Sequence, residues 1–153
     1  MSEDDNDYIE IYIPTDEEYW EAFPNAQGVD KADILLQLSM SCGPDILGEP
    51  AIIMAELAIE VYRELGYTEE GAADFAFAYA VIAENKALIG EISGAIEAAK
   101  IAIPLIKLHE LNNYEFLPWN LLRWYVMTGR EIEAKEYLQQ LLDESAELAL
   151  WFS

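Results

Sequence analysis

The stretch NLLRWYVMTGREIEAKEYLQQLLD, residues 120–143, decides how this chain folds. Leu121, Tyr125 and Thr128 recur at helical spacing before Gly129, and Ala134, Leu138 and Leu141 recur at helical spacing after it. Glycine weakens a helix interior but readily adopts the left-handed backbone that stops a helix. The pattern therefore predicts two helices, over 117–128 and 130–149, reversed at Gly129. Helices joined this tightly must fold back as an antiparallel pair. Ala134 is small where the two backbones are expected to cross.

Working outward, the same punctuation recurs. Residues 92–109 are strongly apolar, with charges at Glu97, Lys100 and Lys107 on one narrow stripe, so this helix is expected to be covered on most of its surface. Pro104 should kink it, having no N–H and clashing with the carbonyl of Lys100. Gly90 marks the break before it. Residues 68–88 read as one helix from a Thr68 N-cap, rich in alanines that permit close helix approach. Gly66 ends a helix over 50–65, whose apolar stripe reads as Ile53, Leu57, Val61 and Leu65, with Glu56, Glu60, Arg63 and Glu64 opposite. GPDILGEP, residues 43–50, is a break. Asp30 opens a helix through KADILLQLSMSC with Ile34, Leu35 and Leu38 inward. Thr15 and Glu18 form a capping box for the short helix DEEYWEAF, which Pro24 stops. Before it, YIEIYIP alternates Ile9, Ile11 and Ile13 against Tyr8, Glu10 and Tyr12, a strand period closed by Pro14. That segment is expected either to pair with another chain or to lie extended against the helices. The organisation read from this is a single domain: an acidic arm at 1–28 and a helical-hairpin unit at 29–153. An apolar C-terminus with Trp151 and Phe152 is expected to dock on the chain's own core.

Leu121, Tyr125, Gly129, Ala134 and Leu138 fall at the spacings of the tetratricopeptide helix pair, which the last hairpin resembles. Shifted back sixty-three residues, Ala58, Tyr62, Gly66, Gly71 and Phe75 occupy the same slots, and Gly90 with Ala95 reads as a third, degenerate unit. Leu122 stands where the family packs a glycine, Pro118 where it has tryptophan, and Ala146 at its closing proline. The glycine steps of 24 and 39 also depart from the family's ~34-residue period. The resemblance covers residues 50–145 and implies an all-α fold, an irregular stack of antiparallel helical hairpins. The segment LPWNLLRWYVMTG is also loosely similar to the matching helix of the TPR-like chaperones of type III secretion. That likeness implies a protein that holds an export substrate.

Thirty acidic residues face eight basic ones, a net charge of −22, of which residues 1–50 carry −12. Such a chain is repelled by nucleic acid and anionic lipid and attracted to basic proteins or peptides. The plainer reading of the charge is a solvated surface. Adaptation to high salt fits less well, because glutamate outnumbers aspartate and large aliphatics are plentiful. The longest apolar run, Ile101 to Ile106, cannot span a bilayer, and the acidic start is the reverse of a signal peptide. One cysteine, Cys42, excludes an internal disulfide, and a cytoplasmic setting is expected.

Catalytic chemistry finds little support in the residue types. One histidine and one cysteine cannot build a zinc set without several carboxylates, and His109 sits near a helix end where a structural role is expected. No phosphate loop occurs, since GREIEAK and SCGPDILG lack the terminal Lys-Ser/Thr. DDNDYIE lacks the glycine of a calcium loop. No metal, cofactor or enzymatic activity is expected. Aromatics interleaved with acids in the first twenty-three residues suit a basic partner instead. The candidate contacts are Tyr8, Tyr12, Glu17, Glu18, Tyr19 and Trp20, although Trp20 and Phe23 also suit locking their helix to the domain. The function expected is a non-enzymatic module that sequesters or neutralises a basic protein, of immunity, inhibitor or chaperone type. The alternative is a nucleic-acid mimic, whose carboxylates imitate phosphates in the groove of a DNA-binding defence protein such as a restriction or CRISPR nuclease. The oligomeric state is left open.

Overall fold

The computed structural model describes residues 15–41 and 46–151, without the side chains of residues 113 and 147–151. The strand-like segment at 8–13, the calcium-like DDNDYIE stretch, Cys42 and the docking of Trp151 and Phe152 therefore lie outside what it describes. Among the described residues the chain is all-helical: α1 (Asp16–Ala22), α2 (Gly28–Ser39), α3 (Glu49–Glu64), α4 (Asp74–Leu88), α5 (Ile92–Leu108), α6 (Leu117–Met127) and α7 (Glu131–Trp151). Single 3₁₀ turns follow α1 and precede α6. Each helix from α2 onward packs against the next in sequence, which makes a stack of helical hairpins.

The hairpins share one stop signal. Gly66 and Gly129 have φ of +90° and +73°, and each closes its helix with the same pair of bonds. The Gly66 N–H donates to the Arg63 carbonyl and the Tyr67 N–H to the Tyr62 carbonyl, both at 3.0 Å. Gly129 N–H to Val126 carbonyl (3.1 Å) and Arg130 N–H to Tyr125 carbonyl (2.9 Å) repeat it. This double bond satisfies carbonyls that a helix end would otherwise leave open. Gly90 ends α4 in the same way, and α5 ends so too, with Glu110 at φ +53° in the glycine's place. The sequence carries no marker for that fourth stop.

The core runs through the middle of the stack. Tyr62, Phe75, Leu38, Ile96 and Leu117 are its largest fully enclosed side chains. α4 lies between α3 and α5, and Ala76, Ala78, Ala80 and Ala83 are all fully buried, so it is apolar around most of its circumference. The tyrosine before each of the two tight turns packs on an aromatic of the following helix: Tyr62 on Phe75 at 5.9 Å and Tyr125 on Tyr137 at 6.1 Å between ring centroids.

Several expected details shift. α4 starts at Asp74, not Thr68, because the Thr68 hydroxyl accepts from the Gly71 N–H (3.1 Å) and caps a separate turn. α2 starts two residues before Asp30. In α7 the inward face is Ala134, Tyr137 and Leu141, whereas Leu138 is exposed. α3 buries Ala51, Ile52, Ala55, Ala58, Ile59 and Tyr62, and so turns Ile53 (49% exposed) and Leu57 (42%) outward, opposite to the expected stripe. Ala51, Ala55 and Ala58 share that inner face with Ile52, Ile59 and Tyr62, and let α2 and α4 approach α3 closely. α5 runs unbroken through Pro104, which lies on its exposed side with Lys100 and Lys107.

Candidate functional site

Two kinds of site are open to a chain of this composition: a cluster of titratable groups and a contact surface. The chain's one histidine enters a cluster at the base of the stack. The Tyr62 hydroxyl, on α3, donates to Asp33 Oδ1 of α2 at 2.5 Å. Burial first, and then that hydrogen bond, push the Tyr62 hydroxyl far above its ordinary value, so it keeps its proton and acts as a brace. Asp74, at the start of α4, is also raised, by burial first and then by the charge of Asp33, with His109 pulling the other way. His109 is the C-cap of α5, and its Nε2 donates to the Glu69 carbonyl at 2.9 Å, tying that helix end to the α3–α4 connection. These contacts join four helices and one loop. Among the described residues no group of three or more His, Cys, Asp or Glu is placed to hold a metal ion.

A second buried polar group ties the α2–α3 connection to α4. Asn85 is 7% exposed. Its Oδ1 accepts from the Gly48 N–H and its Nδ2 donates to the Val81 carbonyl, both at 2.8 Å. Gly48 has φ +88°, a backbone that favours glycine, and a Cβ there would crowd Ile89 Cγ2 at 3.1 Å. Asn85 was not singled out by its sequence context, an alanine-rich helix with no turn signal.

An exposed apolar and acidic surface is built by α1 and α3. Thr15 caps α1 by accepting from the Glu18 N–H at 3.3 Å, and its hydroxyl donates to Glu18 Oε1 at 3.2 Å. Ser41 donates to Asp16, fastening the start of α1 to the end of α2. α1 buries no residue completely, so both its faces reach the surface. Glu17 and Trp20 are exposed, while Glu18 and Tyr19 are half-buried. Tyr19 packs against the core beside Asp33 and Ile34 of α2. Trp20, 46% exposed, looks the other way, into a shallow groove of about 560 Å³ shared with Ile46, Pro50, Ile53 and Met54. Tyr8 and Tyr12 lie outside the described residues.

From that groove the outer face of α3 continues as Ile53 and Leu57 interleaved with Glu49, Glu56, Glu60 and Glu64, all exposed. These positions share one face because helical residues three and four apart are neighbours. Around the α3 edge lies a second groove, where the Arg63 guanidinium donates to Glu69 Oε1 (2.8 Å) and to the Tyr79 hydroxyl (2.7 Å). That contact holds Glu69 below the usual carboxylate range. Arg63 and Lys86 stand at this edge, beside Glu56 and Glu60. The Arg63 charge is engaged by Glu69, whereas Glu49, Ile53, Leu57 and Glu64 lie away from that groove.

Of the two tryptophans on α6, Trp124 is in the core and Trp119 is 49% exposed. It falls on the side of α6 opposite Leu121, Trp124 and Tyr125. Compared with protein-family models, with curated proteins and with solved structures, the chain matches none of them. No helix among the described residues is long and apolar enough to cross a membrane.

Proposed function

We propose that the protein is a non-enzymatic binding module that sequesters a basic, amphipathic partner, and that the Trp20 groove with the outer face of α3 receives it. The observation that carries this reading is the alternation on α3. Exposed Ile53 and Leu57, continuous with Trp20, offer apolar anchors, and four glutamates fringe them. Net charge draws a basic segment in quickly, and the anchors then hold it. Glu17 and Trp20 extend the surface onto α1. The tetratricopeptide-like build is the scaffold of this reading: hairpins that need only their neighbours leave an outer face free. A nucleic-acid mimic would use the same glutamates, but the leucine and isoleucine between them serve a protein segment better than a phosphate-binding groove.

The test is a calorimetric titration with a synthetic basic amphipathic helix, lysines on one face and leucines on the other. Trp20→Ala with Ile53→Ala should weaken binding at least tenfold, with far-UV circular dichroism unchanged. Equal affinity of wild type and double variant, combined with steep loss of binding in salt, would refute the anchor role and favour phosphate mimicry.

A further inference from the structure

A second exposed apolar surface differs from the first in its charge. The outward side of α6 carries Phe116 (77% exposed), Trp119 (49%), Val126 (63%) and Met127 (56%), with Arg123 in their midst. Spacings of three and four place all five on one stripe. No acid interrupts it. Residues 116–130 hold Arg123 and Arg130 and not one carboxylate, the longest acid-free run in a chain with thirty acids. The stripe carries on the order of 500 Å² of apolar side chain, the scale at which a surface patch is functional rather than incidental.

The charge distribution selects what covers it. A basic segment gains nothing here and is drawn to the glutamates of α3. A second copy of this chain faces the opposite constraint. Two bodies of charge −22 repel wherever their acids meet, so they can approach closely only through a surface from which acids are missing. We infer that the protein self-associates through this stripe, α6 against α6 of a second copy about a twofold axis. Antiparallel pairing sets Phe116 against the other copy's Met127 and brings Arg123 over its Trp119, where a guanidinium stacks well on an indole face. Arg123 has no ion-pair partner among the described residues and is available for that contact. The two stripes together bury roughly 1,000 Å², the lower bound of a specific interface. The dimer is therefore expected to assemble at micromolar rather than nanomolar concentrations.

The sign of the salt effect separates this inference from the proposed partner binding. Salt screens the repulsion between like-charged copies, so dimerisation should strengthen with ionic strength, whereas capture of a basic segment should weaken. Sedimentation velocity of the full chain, from 1 to 500 μM in 50 mM and in 500 mM NaCl, reads this directly. The expected result is a monomer–dimer equilibrium at least fivefold tighter in high salt. It should be abolished by Val126→Glu with Met127→Glu and weakened by Arg123→Glu, each variant keeping the wild-type circular dichroism. A monomer across the whole range, a dimer indifferent to these substitutions, or one that dissociates as salt rises would each overturn the inference.

Discussion

Glu110 offers a direct test of how the stack is built. It ends α5 in the left-handed conformation, φ +53°, with its N–H on the Lys107 carbonyl (3.2 Å) and the next N–H, of Leu111, on the Ile106 carbonyl (3.0 Å). Its side chain is exposed and makes no hydrogen bond or ion pair among the described residues. Left-handed backbone costs a residue with a Cβ about 1–2 kcal/mol, and glycine's extra freedom in the unfolded chain takes back about 0.5–1 kcal/mol. Glu110→Gly should thus stabilise the protein by about 0.5–1 kcal/mol, or roughly 1–4 °C in Tm for a chain of this size. Removing one acid from so negative a chain also helps, and Glu110→Ala measures that part alone, since it keeps the Cβ. Thermal and urea unfolding of the three proteins side by side give the comparison. If Glu110→Gly is no more stable than Glu110→Ala, the chain does not reverse at 110 as described, and the shared stop signal fails at its one non-glycine member.

Two further effects follow from buried polar groups. Asn85→Ala strands the Gly48 N–H without its acceptor and should cost about 1–3 kcal/mol in urea unfolding; a cost within error would remove Asn85 as the tie between the α2–α3 connection and α4. Asp74 holds its proton to higher pH in the folded than in the unfolded chain, so the native state binds more protons and stability falls as pH rises from near 3.8 through the raised native value. Asp74→Asn should flatten Tm against pH across that window and gain on wild type toward neutrality, and parallel curves would show that the carboxyl is not strained by burial and Asp33.

The reversals at Gly66, Gly90 and Gly129 were legible because a positive φ writes itself into the sequence as glycine. The one at Glu110 was not, since packing there overrides residue preference. Periodicity identified α3 as amphipathic but assigned its two sides wrongly. Ile53 and Leu57 outrank alanine in hydrophobicity, yet in a helix packed between two others the buried side is set by both neighbours, and Ala51, Ala55 and Ala58 are taken inward with Ile52, Ile59 and Tyr62. The same logic hid the candidate surface. Trp20 was visible as an aromatic among acids, but its continuation onto Ile53 and Leu57 depends on a contact between helices thirty residues apart in sequence. Asn85 and the Asp33–Tyr62–Asp74–His109 cluster are likewise long-range meetings that no local pattern announces.

Each helix from α2 onward leans chiefly on its sequence neighbours, and α7 leans mainly on α6, with one ion pair reaching back from Glu144 to Lys107 of α5. Such an architecture has no single keystone. Protection against opening is graded along the chain, greatest where α4 is flanked on both sides and least at the terminal pair, which can peel away while the block before it stays closed. Unravelling thus starts from one end, like a zip.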